Sequence, residues 1–238
     1  MGAKMSEVRI STGIPGLDTM LEGGLIPGRV YLVKGTPGTG KTTLAMHFAM
    51  AGVARGEKVL YVTLEEPVEN LKQDMPKLGF NLENPNFVLV DATPATDTYV
   101  LMDSMFESFA KGFDKMMETI KTQFMSLHFQ RLVIDPLTMV KLTTRDEIEY
   151  RRLFLEFIKT MHRLRVTTIL TSELEKCDVE EYLVHGVIEL RRFDMDGRVA
   201  RGIRISKFRG SSFDDALRPY MITSQGLVVN TDEILRPF

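Results

Sequence analysis

Eight consecutive residues constrain this chain more than any others: Gly35-Thr36-Pro37-Gly38-Thr39-Gly40-Lys41-Thr42, a G-x-x-x-x-G-K-[ST] run. A short β-branched apolar segment, RVYLVK at 29–34, precedes it, and a helix-forming stretch at 42–53 follows. That context makes the pattern a phosphate-binding loop. Glycines at 35, 38 and 40 permit backbone geometries that turn successive N–H groups toward one anion. The helix that follows adds its positive end. Lys41 is expected to reach the β- and γ-phosphates of a nucleoside triphosphate, and the Thr42 hydroxyl to coordinate Mg²⁺. Thr36, Pro37, Thr39 and Thr43 complete the residues expected around the nucleotide.

The same alternation of short strand and helix continues along the chain. Apolar runs recur at 58–64 (KVLYVTL), 87–90 (FVLV), 131–135 (RLVID) and 166–171 (VTTILT). Each is apolar on both faces, as a strand sandwiched between helices must be in a parallel sheet. Residues 67–78 and 146–164 read as further helices, the second with an acidic first turn that suits the helix dipole. After residue 180 the pattern changes to shorter strands at 184–193, 199–207, 219–223 and 227–229, with Asp196-Gly197 as a hairpin turn. A mostly parallel α/β sheet flanked by helices, with antiparallel C-terminal strands, is therefore expected as one domain over residues 1–238. Between 98 and 129, Met102, Met105, Phe106, Phe109, Phe113, Met116, Ile120, Phe124 and Leu127 recur every three or four residues. They describe the apolar face of a long helix, turned either to the core or to a partner protein.

Two acidic positions join the phosphate loop. Asp135 ends a buried strand, where a lone aspartate is ordinarily a turn or capping residue. Downstream of a phosphate loop it reads better as the group that holds the water shell of Mg²⁺. Glu65 and Glu66 end the strand KVLYVTL, on the side where open α/β sheets bind ligands. Either can polarise a water for in-line attack on the γ-phosphate, and both also suit the first turn of a helix opened by Pro67.

Composition narrows the classes. A formal net charge of −2 argues against nucleic acid as a bulk electrostatic partner. The single cysteine, Cys177, cannot form an internal disulfide, as suits a reducing cytoplasm. No apolar run approaches the roughly 20 residues of a membrane span, and residues 1–11 lack a signal-peptide core, so a cytoplasmic protein is expected.

Beyond these motifs, residues 10–44 (ISTGIPGLDTMLEGGLIPGRVYLVKGTPGTGKTTL) resemble the KaiC-like branch of the RecA superfamily. So do TLEEP at 63–67, LVIDPLT at 132–138, TSE at 171–173, HGVIEL at 185–190, RGIRISKFRGSSF at 201–213 and RPYMIT at 218–223. The resemblance is collinear over nearly the whole chain. It implies a RecA-like ATPase core assembled as a hexameric ring, with ATP and Mg²⁺ between neighbouring subunits. The acidic pair Glu65 and Glu66 would serve hydrolysis, and the K-x-R-G segment would carry Lys207 and Arg209 to the neighbour's phosphates. Two cations two residues apart on a strand do share a face. Without the resemblance they read as a solvated strand face, and the sequence assigns them no internal role. Ser211 and Phe213 fall where the family often has a hydroxyl and a histidine near the nucleotide, and Phe213 cannot donate a histidine's hydrogen bond. Only one phosphate loop is present, whereas the circadian KaiC proteins carry two ATPase modules.

A slow ATPase whose nucleotide state regulates a partner is the expected function. The alternative is a nucleotide-gated scaffold with little turnover, like motility-associated relatives. A recombinase of the same superfamily is disfavoured because residues 172–187, where such proteins carry a DNA-binding loop, are short and acidic.

Overall fold

The computed structural model describes residues 8–92, 120, 124, 127–142, 146–174, 176–195 and 197–236. Its organising element is β1 (Val30–Lys34), whose residues are almost fully buried. On one side β1 pairs in parallel with β5 (Thr167–Ser172), followed outward by β4 (Arg131–Asp135), β2 (Val59–Thr63) and the edge strand β3 (Phe87–Asp91). On the other side β6 (Gly186–Met195) is also parallel to β1. The antiparallel strands β7 (Arg198–Phe208), β8 (Arg218–Thr223) and β9 (Gly226–Val229) then complete a nine-stranded sheet. The expected parallel core and antiparallel C-terminal edge are both present.

Successive side chains of each parallel strand enter opposite layers, because strand side chains alternate. Tyr31, Val33, Val59, Tyr61, Val133 and Ile169 pack under α1 (Pro15–Met20) and α2 (Lys41–Ala54). Val30, Leu32, Leu60, Val62, Leu132 and Leu170 pack against α4 (Thr138–Leu142), α5 (Glu147–Leu164) and α6 (Asp178–Leu183). Helix α5 starts where Asp146 accepts a hydrogen bond from the Ile148 N–H at 2.9 Å, a side-chain cap on an acidic first turn.

One expectation changes, and another falls mostly outside the described residues. The helix expected over 67–78 is two pieces, α3 (Val68–Asp74) and a 3₁₀ turn at Met75–Leu78. Pro76 has no N–H to continue the α-helical ladder, so the chain tightens there. The apolar helix expected over 98–129 lies outside the described residues except at its end. There Ile120 is buried, and Phe124 and Leu127 pack against the α5 layer.

At the N-terminal end of β4, Arg131 is completely buried. Its Nη1 donates to the carbonyls of Ser11 (2.8 Å) and Phe48 (2.7 Å), and its Nε pairs with Glu57 at 2.5 Å. The guanidinium also lies 4.6 Å from the centre of the Phe48 ring. This one side chain therefore ties the N-terminal segment and α2 to the sheet. Gly52 of α2 makes room for it: a Cβ there would come within 2.6 Å of Arg131 Cδ and Nε. Alanine has the better helix propensity by about 1 kcal/mol. Overpacking against a tethered side chain costs about 1–3 kcal/mol, and displacing a buried charge from its acceptors adds to that. Gly52→Ala should therefore lower stability in urea unfolding by about 2 kcal/mol; a stabilised variant would mean that Arg131 moves aside freely.

Candidate functional site

Strand register brings the candidate residues together. Lys34 is opposite Ser172, Thr63 is opposite Asp135, and Ile134 is opposite Leu170. The residues that follow these strand ends leave the sheet at one edge, beside the point where β1 is flanked by strands on both sides. Lys41, Thr42, Glu65, Glu66, Asp135 and Glu173 consequently line one cavity of about 170 Å³.

The phosphate loop is braced from behind. Gly35 N–H donates to Ser172 O at 3.1 Å, and the fully buried Thr39 closes the loop through its hydroxyl to Thr36 O at 2.8 Å. The Tyr220 hydroxyl donates to Thr39 O at 2.5 Å. Gly38 and Gly40 hold φ of 76° and 90°, a region that side chains rarely tolerate. Gly40 then leads directly into the first turn of α2, where Thr43 is buried. The Lys41 ammonium rests 3.3 Å from Thr36 O.

The carboxylates differ in how firmly they are held. Asp135 is buried and accepts hydrogen bonds from Tyr61 Oη (2.6 Å) and Thr171 Oγ1; the Asp135–Pro136 bond is cis. Glu66 accepts from Asn70 Nδ2 at 2.6 Å, and its carbonyl accepts from Thr63 Oγ1 at 2.5 Å. Glu65 is pushed above the usual carboxylate range by burial, then by Glu173 and Asp135, with Lys41 opposing. Burial lowers the Lys41 ammonium, although Glu173, Asp135 and Glu65 pull it upward. Four carboxylates thus face one ammonium, a balance that favours a bound cation. Among the described residues no group of three or more His, Cys, Asp or Glu could hold a metal ion alone. Phosphate oxygens and water would have to complete the shell of Mg²⁺, as that ion commonly requires.

Glu173 was not among the candidates read from the sequence. It follows β5 directly, just as Glu65 follows β2 after one residue, and its N–H donates to Thr138 Oγ1 at 3.2 Å. The available signal was its place after a buried apolar strand.

Lys207, Arg209, Ser211 and Phe213 are not at this cavity. Lys207 is opposite Val187 near the start of β6, and Arg209 N–H donates to His185 O at 2.8 Å. The Arg209 carbonyl also accepts from Arg29, which immediately precedes β1. Five strand residues, 30–34, separate Arg29 from Gly35, about 20 Å along the strand, and Lys207 is level with Leu32 between them. Contrary to expectation, both cations have partners within their own chain. Lys207 Nζ donates to the carbonyls of Glu181 and Tyr182 (3.1 Å to the latter), and Arg209 Nη2 donates to Tyr182 O at 2.9 Å. These carbonyls close α6, where positive charge is favourable. Burial, then Arg209, lowers the Lys207 ammonium to about 8. Ser211 Oγ accepts from Arg9 at 2.7 Å, and Phe213 stands edge-on to Phe208 with ring centres 6.3 Å apart.

A family profile described as "ATPase: KaiC" matches residues 10–234. Among relatives, a UPF0273 protein of Thermotoga maritima is 28% identical over 236 residues, covering 94% of this chain and 97% of that one. The circadian clock protein KaiC3 of Synechocystis is 28% identical over 93% of this chain, which spans only 45% of KaiC3. Among solved structures, the KaiC-like protein PH0186 of Pyrococcus horikoshii superposes with a TM-score of 0.79 at 29% identity, covering 94% of this chain and 99% of that one.

The far end of the sheet carries a pH-dependent contribution to stability. His185 is pushed down to about 4 by burial, then by Arg29 and His162, and its Nδ1 accepts from Val30 N–H at 3.3 Å. The folded chain thus takes up this proton less readily than the unfolded chain, whose histidine titrates near 6.5. The contribution is fully present above about 6.5 and is lost as pH falls toward about 4. The stability difference between wild type and His185→Asn in urea unfolding should therefore shrink from pH 7.5 to pH 4.5. An unchanged difference would exclude this histidine as the titrating group.

Proposed function

The chain belongs to the KaiC family of ATPases, and from that premise we propose that it is a cytoplasmic, slowly hydrolysing regulatory ATPase. ATP binds at residues 35–42 of one subunit and is completed by Lys207 and Arg209 of the next in a hexameric ring. The observation that carries this reading is the division of candidate groups between the cavity past the end of β1 and a separate pair of cations held on α6. Lys41, Thr42, Glu65, Glu66 and Asp135 share one cavity that Lys207 and Arg209 do not line; by register Lys207 is level with Leu32, about 10 Å before Gly35, and Arg209 with Val30, about 17 Å before it. A neighbour in a closed ring, presenting its own Lys207 and Arg209, would supply what the cavity lacks.

In this reading the backbone N–H groups of the loop and the Lys41 ammonium hold the phosphates. Thr42 directly, and Asp135 through water, would hold Mg²⁺, which neutralises phosphate charge. Glu65 suits the role of base: its carboxylate is raised and lacks the fixed partner that Asn70 gives Glu66. It accepts a proton from a water whose oxygen bonds to the γ-phosphorus as the bond to the β,γ-bridging oxygen breaks, leaving ADP and inorganic phosphate. Glu66, anchored to Asn70 and Thr63, positions its neighbour. The alternative of a scaffold with little turnover draws support from Lys207 and Arg209 being held on α6 of their own subunit. No described helix is long and apolar enough to cross a membrane.

Phosphate release separates the two. Glu65→Gln should reduce turnover by at least about a hundredfold while nucleotide still binds. If wild type and the Glu65→Gln, Glu66→Gln double variant release phosphate equally, the hydrolytic reading fails. Arg209→Ala should leave ATP affinity nearly intact and lower turnover by up to about a thousandfold. Light scattering that finds a monomer with ATP, with ADP and without nucleotide would remove the shared site.

A further inference from the structure

The β6–β7 hairpin extends past the end of β1 and rises beside the phosphate loop. The ladder pairs Lys34, the last residue of β1, with Glu189, leaving residues 190–195 to continue alone with β7. Its arginines divide by face. Arg191 and Arg204 are ion-paired with the same carboxylate, Glu189, at 2.5 and 2.9 Å. On the other face Arg192 is directly opposite Arg201, and among the described residues neither guanidinium has a carboxylate within 4 Å. Arg201 Nε is buried without any hydrogen-bond partner.

That second face is the one turned to the loop. Leu190 and Ile203, the preceding pair in the same row, are buried in the layer that contains α2. One pleat further on, Arg192 Nη1 lies 3.2 Å from where a Cβ on Gly38 would be. Like charges directly opposite on neighbouring strands are destabilising. An arrangement that keeps two of them unpaired at the apex of a phosphate loop is stabilised by an anion. A plain solvated strand face would explain exposed arginines, but not their pairing with each other beside Gly38 while a glutamate serves the opposite face.

We propose that Arg192 is a nucleotide-binding residue of its own subunit, contacting the polyphosphate of the nucleotide held by residues 35–42. The inference rests on the nucleotide reading above and adds to it a cation supplied in cis. Arg192 contributes binding to ADP and ATP alike, because it flanks the loop and is not among the residues of the Glu65–Asp135 cavity. In the empty protein its charge opposes Arg201, so part of the stabilisation by ligand is relief of that repulsion.

Thermal melting of the full chain with Mg-ATP, Mg-ADP or inorganic tripolyphosphate, compared across wild type, Arg192→Gln, Arg192→Lys and Lys41→Ala, tests this. Without ligand Arg192→Gln should melt at or above wild type, which a merely structural arginine would not allow. Its affinity for ATP and for ADP should fall about tenfold, the loss of one charge-assisted contact, with partial recovery in Arg192→Lys. Wild-type affinity for both nucleotides in Arg192→Gln, beside a loss in Lys41→Ala, overturns this inference alone. No stabilisation of wild type by either nucleotide overturns the nucleotide reading and this inference with it.

Discussion

Everything at the candidate site depends on the hydrogen-bond register of four parallel strands. Lys34 beside Ser172 and Thr63 beside Asp135 put the ends of β1, β5, β2 and β4 at a common level. A slip of one residue in any of them would turn a buried face outward, so the apolar layers on both sides enforce the register. The geometry of the candidate site is therefore inherited from packing: Val33 and Val62 in the core decide where Gly35 and Glu65 emerge. Asp135 shows the same economy, because the Tyr61 and Thr171 hydroxyls that fix its carboxylate come from the two strands adjoining β4.

Electrostatics within this frame are deliberately unbalanced. Glu65, Glu66, Asp135 and Glu173 outnumber Lys41 at one end of the loop, whereas unpaired arginines flank the other side of it. Elsewhere charge is satisfied locally: Glu189 gathers Lys34, Arg191 and Arg204, and Glu180 takes Lys141 and the Tyr150 hydroxyl. Buried charges are tolerated where they are paired, and the exceptions gather around the phosphate loop.

Much of this was legible in the sequence. Strands apolar on both faces and a glycine-rich loop between strand and helix are local signals, and β4 falls on the residues expected for it. Asp135 and the pair Glu65 and Glu66 were legible because acids that end apolar strands stand out. Glu173 was hidden because TSE reads equally well as the approach to α6. The arginines between 191 and 204 look alike along the chain. Only the β6–β7 register separates those paired with Glu189 from Arg192 and Arg201. The partners of Lys207 and Arg209 were likewise invisible, since main-chain carbonyls of a helix end leave no trace in residue identity. The glutamate on which the resemblance laid equal weight, Glu66, is distinguished from Glu65 by its bond to Asn70, the Thr63 hydroxyl on its carbonyl and the raised carboxylate of its neighbour.

The position of β1 also sets an order of events for the growing chain. This strand is the first to be made, yet both of its neighbours come from beyond residue 166: Val30 waits for Thr168 and Lys34 for Glu189. Until some 150 later residues have been synthesised, a phosphate loop with no sheet beneath it is attached to an unpaired apolar strand. Such long-range closure slows folding and exposes strand edges to other chains. The seat of the loop is therefore completed by strands made long after the loop itself.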